Sequence, residues 1–236
     1  MIGKAGGFAR RQPALHWAGF WLLFLPTLVI NCIIRFVPHP GETDIVNASQ
    51  ANLLIASGVL VVVLTILMVW GECCVLIVGK RLLLSSAGRS RTSFRAVRAL
   101  GRKLILPVLL TSLLRSAIMV LWTFVFIIPG IIYAIRTVIS SVVIVAEGTA
   151  YRLALQRSKD MVRGHTWHVL LWLIGISLTL FAPVQVLAII VEPLANQSVI
   201  ALTLLAEFCV AAAQTVAGVL FTLCLVVMYG KLKKKT

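Results

Sequence analysis

Acidic residues are scarce in this chain: its 236 residues hold 7 Asp and Glu against 22 Lys and Arg. Charge of both signs amounts to 12% where a soluble domain carries about 25%, and apolar residues reach 60% where about 45–50% is usual. A soluble globular protein is therefore excluded, and the length fits a single domain, residues 1–236. Catalytic patterns are missing as well. There is no H-E-x-x-H of a zinc protease, no G-x-S-x-G of a serine hydrolase and no G-x-x-x-x-G-K-[ST] of a nucleotide site. Without an ATP-binding domain, pumping would need another subunit or an ion gradient. The five cysteines, Cys32, Cys73, Cys74, Cys209 and Cys224, lie in apolar runs or at their edges and lack C-x-x-C spacing. They read as small buried hydrophobes. No metal, cofactor or catalytic residue is expected.

What is present is long apolar runs. A helix needs roughly 20 mostly apolar residues to cross a hydrocarbon core about 30 Å thick. Six stretches meet or approach this: Trp17 to Val37, Leu53 to Val78, Leu104 to Ile128, Ile131 to Ala146, Trp167 to Val191 and Val199 to Met228. The expected fold is an all-α integral membrane protein of six transmembrane helices. The fourth run is short and carries Arg136; Pro129-Gly130 is expected to form the tight turn before it.

The basic residues test this threading, since Lys and Arg concentrate in short cytoplasmic loops. With the N-terminus inside, the cytoplasmic segments hold Lys4, Arg10 and Arg11; eight between Lys80 and Lys103; Arg152, Arg157, Lys159 and Arg163; and Lys231, Lys233, Lys234 and Lys235. These are nineteen of the 22, and the outer loops carry the acidic Glu42, Asp44 and Glu192. Both termini are placed in the cytoplasm. The basic start followed by Trp17 to Val37 lacks a small-x-small cleavage site and reads as an uncleaved signal anchor.

Two basic amphipathic segments, residues 92–103 and 149–163, precede the third and fifth spans. In the first, Phe94, Val97, Gly101 and Leu104 share a face with Arg95, Arg98 and Arg102 turned away; in the second, Tyr151, Leu155, Ser158 and Val162 form the greasier side. Such helices lie in the headgroup layer, with anionic lipid as partner. The two resemble each other at an offset of 57, Thr92 matching Thr149, Phe94 matching Tyr151, Arg95 matching Arg152 and Arg102 matching Lys159. A parallel internal repeat follows from their common side. A net charge of +15 would suit nucleic acid in a soluble chain, but here the cations are tied to spans and no nucleic-acid motif accompanies them.

Ionisable residues inside spans are functional candidates, because each costs roughly 2.5–3.5 kcal/mol at mid-bilayer on insertion scales. They are Glu72, Arg115, Arg136 and Glu207. By depth, Arg136 matches Glu207 and, more loosely, Arg115 matches Glu72. Either the four neutralise one another, or the arginines hold a phosphate or carboxylate. Glu147 is expected to cap the following helix or neutralise Arg152. His165 and His168 flank Trp167 and read as part of an interfacial anchor belt.

The stretch from Ile128 to Leu170 resembles the membrane domain associated with bacterial glycerophosphoryl diester phosphodiesterases. The shared marks are Pro129, Gly130, Tyr133, Arg136, Glu147, Gly148, Ala154-Leu155, Arg157, Ser158, Arg163, Gly164 and Trp167, and the tail Tyr229-Gly230-Lys231-Leu232 is similar too. In that family the phosphodiesterase activity belongs to a separate soluble domain, for which this chain has no room. The resemblance therefore implies a multi-pass protein of the bacterial inner membrane without catalytic activity. The expectation is an accessory or scaffold in an envelope or membrane-lipid process, acting with a membrane or cytoplasmic protein partner. The alternative is a small carrier or channel for an anionic or lipid-derived solute.

Overall fold

The computed structural model describes residues 2–37, 48–83, 94–195 and 200–234. Ten α-helices account for nearly all of them, and no strand occurs among the described residues. They are α1 (Ile2–Arg11), α2 (Pro13–Ala18), α3 (Leu25–Phe36), α4 (Ala48–Gly79), α5 (Phe94–Val125), α6 (Ile127–Arg136), α7 (Ser140–Glu147), α8 (Tyr151–Val162), α9 (Thr166–Ala195) and α10 (Ile200–Lys233). A π-helical segment, Gly19–Phe24, joins α2 to α3.

Six stretches are long and apolar enough to cross a membrane: Leu15–Phe36, Ser49–Gly79, Arg95–Phe124, Ile127–Glu147, Thr166–Pro193 and Ile200–Lys233. The chain is a multi-pass membrane protein by this measure. The outward faces agree, since Leu53, Ile55, Val59, Val62 and Val63 of α4 and Leu171, Leu178, Ile189 and Ile190 of α9 are all exposed. Patches of that size are not left facing water by a monomeric soluble protein.

The shortest span is the most buried. Half of the Ile127–Glu147 window is buried inside the bundle, against none of the Ser49–Gly79 window. Ile139, Val142, Val143 and Ile144 form the centre of one core cluster with Leu76, Val108, Val162 and Tyr229. A second cluster joins Phe8, Leu15 and Leu22 to Val75, Val78, Val97 and Leu223. Half of this span's environment is protein, which tolerates Thr137 and Ser140, both buried, where lipid would not.

Four expectations need correction. The chain does not reverse at Pro129-Gly130 but at Phe126, which is extended (φ −156°, ψ 132°) between α5 and α6. Pro129 sits in the first turn of α6, where its missing N–H costs nothing. Gly130 is the contact point of the hairpin: a Cβ there would collide with Thr123 Oγ1 and stand 3.1 Å from the Thr123 backbone. Second, the fourth span is two helices, interrupted over Thr137–Ile139. Third, the first amphipathic segment is no separate helix. From Phe94 it runs unbroken into the third span as α5, with Val97 and Gly101 buried and Arg95, Arg98 and Arg102 exposed, while residues 92 and 93 lie outside the described residues. Its packing on α4 is sealed by Trp70, whose indole N–H donates to the Arg98 carbonyl (3.3 Å) while Arg102 lies over its ring (5.2 Å).

Fourth, the second amphipathic segment is a separate helix, α8, but its buried side is Ala154, Leu155, Ser158, Met161 and Val162, and Tyr151 is exposed. Tyr151 opens α8 with a positive φ of 57°, its N–H donating to Thr111 Oγ1 (2.9 Å). Gly148 (φ 74°) ends α7 and Gly164 (φ 85°) follows α8, both in the left-handed region that glycine adopts freely. An amphipathic helix unanticipated from sequence, α1, packs Ala5 and Phe8 into the second cluster.

Candidate functional site

The interruption of the fourth span creates a polar centre. A helix end leaves its last four carbonyls without intrahelical donors, and at the end of α6 each finds one. The Tyr133 carbonyl accepts from the Thr137 N–H (3.0 Å) and from Thr137 Oγ1 (2.8 Å). The Ala134 carbonyl accepts from an Arg115 terminal N–H (3.3 Å), and Arg115 Nε also donates to Thr137 Oγ1 (3.1 Å). The Ile135 carbonyl accepts from the Val138 N–H (3.4 Å), and the Arg136 carbonyl from Ser158 Oγ of α8 (2.8 Å). Arg115 is thus the side-chain cap of α6, supplied by the neighbouring helix.

Around this centre, Tyr133 is 7% exposed and its hydroxyl is buried without a hydrogen-bond partner. Lys159 lies over the Tyr133 ring, its Nζ 4.5 Å from the centroid. The Arg136 side chain is exposed and has no ion pair among the described residues. The pairing that depth allows between Arg136 and Glu207 is absent among the described residues: α6 packs against α5, α8 and α9, whereas Glu207 lies within electrostatic reach of Cys32 on α3. Matching depth did not place the two on facing helices. Glu72 and Arg115 do sense each other electrostatically, but they make no direct ion pair.

A second polar centre closes the end of the bundle that carries the C-terminus. The Glu147 carboxylate, 17% exposed, accepts from the Tyr229 hydroxyl (2.8 Å) and from Arg157 Nε (3.1 Å), with Lys233 Nζ at 3.9 Å. Lys80 Nζ donates to the Val145 carbonyl, two residues before Glu147 (3.2 Å). Here too the expectation is corrected. Glu147 neither caps α8 nor meets Arg152, because the left-handed Gly148 reverses the chain and lays the second turn of α8 over it. One carboxylate therefore ties together α7, α8 and α10. Tyr229 and Arg157 belong to the motif stretches, but Thr137, Thr111 and Lys80 carry no sequence signal beyond being polar at an apolar boundary.

Cations dominate what this end presents. Lys80, Arg95, Arg98, Arg102, Arg152, Arg157, Arg163, Lys231, Lys233 and Lys234 are exposed. Several rest on aromatic rings, Lys231 over Trp172 (4.4 Å) and Lys233 over Tyr229 (5.8 Å). His165 and His168 have ring centroids 6.5 Å apart beside the exposed Trp167, and no group of three metal-ligating side chains forms among the described residues. The arrangement holds its own helix ends and attracts anions; no nucleophile and general base meet in it. No protein-family model, curated protein or solved structure matches the chain.

Proposed function

We propose that this chain is a non-catalytic protein of the bacterial inner membrane with both termini in the cytoplasm, an accessory or scaffold in an envelope or membrane-lipid process. The observation that carries this reading is the Glu147 centre. By tying α7, α8 and α10 together it holds the exposed cations of α8 and α10 in one array, suited to an acidic protein partner at an anionic membrane surface. Kinship with the phosphodiesterase-associated membrane domain is part of the proposal. What supports it is that Glu147, Arg157 and Tyr229, scattered over the resembling stretches, converge in space. The parallel repeat belongs here as well, its support being that the matched Phe94 and Tyr151 each open a helix, with Val97 and Gly101 buried like Ala154 and Ser158.

The test replaces Arg152 and Arg163, both exposed and free of the Glu147 centre, by Glu. The expected outcome is loss of a stoichiometric protein partner from the mildly extracted complex, with the fold retained. Substrate turnover or flux by the purified wild type in liposomes would sink the reading.

A second reading, a small carrier or channel for an anionic or lipid-derived solute, is favoured by the interrupted fourth span with Arg115 at the break and Arg136 unpaired beside it. It predicts that Arg136→Leu abolishes anion flux in proteoliposomes while folding is unchanged. Unchanged flux would remove it.

A further inference from the structure

Away from both polar centres, a cleft of about 510 Å³ lies between the N-terminal segment and α10. Its walls are Gly6 and Ala9 of α1, Leu15 to Phe24 at the start of the first span, and Phe208 to Leu220 of α10. It is almost wholly apolar, with His16 and Thr215 its only polar side chains, and Phe20 and Val216 of its wall are exposed. The π-helical turn Gly19–Phe24 forms part of the wall, a deviation often found at functional sites.

We infer that this cleft binds one acyl chain of an anionic glycerophospholipid, with its headgroup at the α1 end. Three features select that occupant. Apart from Gly6 and Ala9 of α1, the cleft is lined by the spanning segments Leu15–Phe36 and Ile200–Lys233, where the surrounding medium is lipid. Its α10 wall, Phe208 to Leu220, measures about 18 Å at 1.5 Å per residue, close to the about 15 Å depth of one leaflet. Charge differs between its ends: α1 carries Lys4, Arg10 and Arg11 and no acidic residue, whereas Glu207 precedes Phe208 at the other end. A negative headgroup is drawn to the first and repelled from the second. The inference goes beyond the scaffold reading and stands or falls without it.

The experiment titrates the delipidated full chain in mild detergent with phosphatidylglycerol and, separately, with phosphatidylcholine, counting bound lipid by native mass spectrometry. Wild type is expected to hold one phosphatidylglycerol, roughly tenfold or more tighter than phosphatidylcholine, since the sequence of α1 holds three basic residues and no acidic one. A Cβ at Gly19 meets nothing within 4 Å. Gly19→Leu therefore grows into open space, and it should lose the lipid with its thermal transition unchanged. Val216→Trp fills the same cleft from the α10 side and should do likewise. Gly58→Leu, also with open space at its Cβ but outside the cleft, keeps the lipid. The triple variant Lys4→Gln, Arg10→Gln, Arg11→Gln keeps one lipid and loses the preference. Retention of phosphatidylglycerol at wild-type affinity by both folded cleft-filling variants would overturn the inference. So would a wild-type dimer that both variants convert to monomer, since a second copy would then be the occupant.

Discussion

Arg115 looks expensive in the sequence and turns out to be occupied. An arginine at mid-span costs roughly 2.5–3.5 kcal/mol on insertion scales, yet an uncapped carbonyl buried at the end of α6 would cost about 1–3 kcal/mol. Arg115 meets that need at Ala134 and holds Thr137 with the same guanidinium. Arg115→Leu should therefore destabilise the protein by about 1–3 kcal/mol, measured by thermal or denaturant unfolding in detergent. An unchanged midpoint would mean that the cap is dispensable. Glu147 was legible as a polar residue at a span end, but its partners were not, because Arg157, Tyr229 and Lys233 reach it only once three helices have been laid side by side.

The hairpin of α5 and α6 turns one helical turn before its Pro-Gly pair. Pro-Gly pairs commonly mark turns, but here the pair serves the contact between two helices, with the reversal placed at Phe126. Gly130→Ala drives a Cβ against the Thr123 backbone and should cost about 1–3 kcal/mol, whereas Gly58→Ala, facing open space, should be neutral or up to about 1 kcal/mol stabilising. Parallel unfolding curves of the two variants distinguish contact from turn: equal effects would rule out the close approach. The interruption at Thr137–Ile139 was not legible, since the residues around it are as apolar and β-branched as those of an unbroken span. The helix stops there because Thr137, Arg115 and Ser158 together supply donors for its carbonyls, and two of those three come from other helices.

For the bundle as it sits in the membrane, the charge distribution predicts orientation. A cysteine introduced at Thr43 should react with an impermeant maleimide in intact cells, and one at Ser90 only after permeabilisation; the opposite pattern would invert the proposed topology. Six spans and a basic end follow from run length and from the placement of Lys and Arg, because the bilayer demands about 20 apolar residues per crossing whatever the helices pack against. Those features are local in the chain, so one dimension suffices to read them. Which span is central, which carboxylate meets which cation and where a cleft opens depend on neighbours far apart in sequence. The fourth run accommodates the buried Thr137 and Ser140 because half of it is enclosed by protein, and that enclosure exists only after the other five have closed around it.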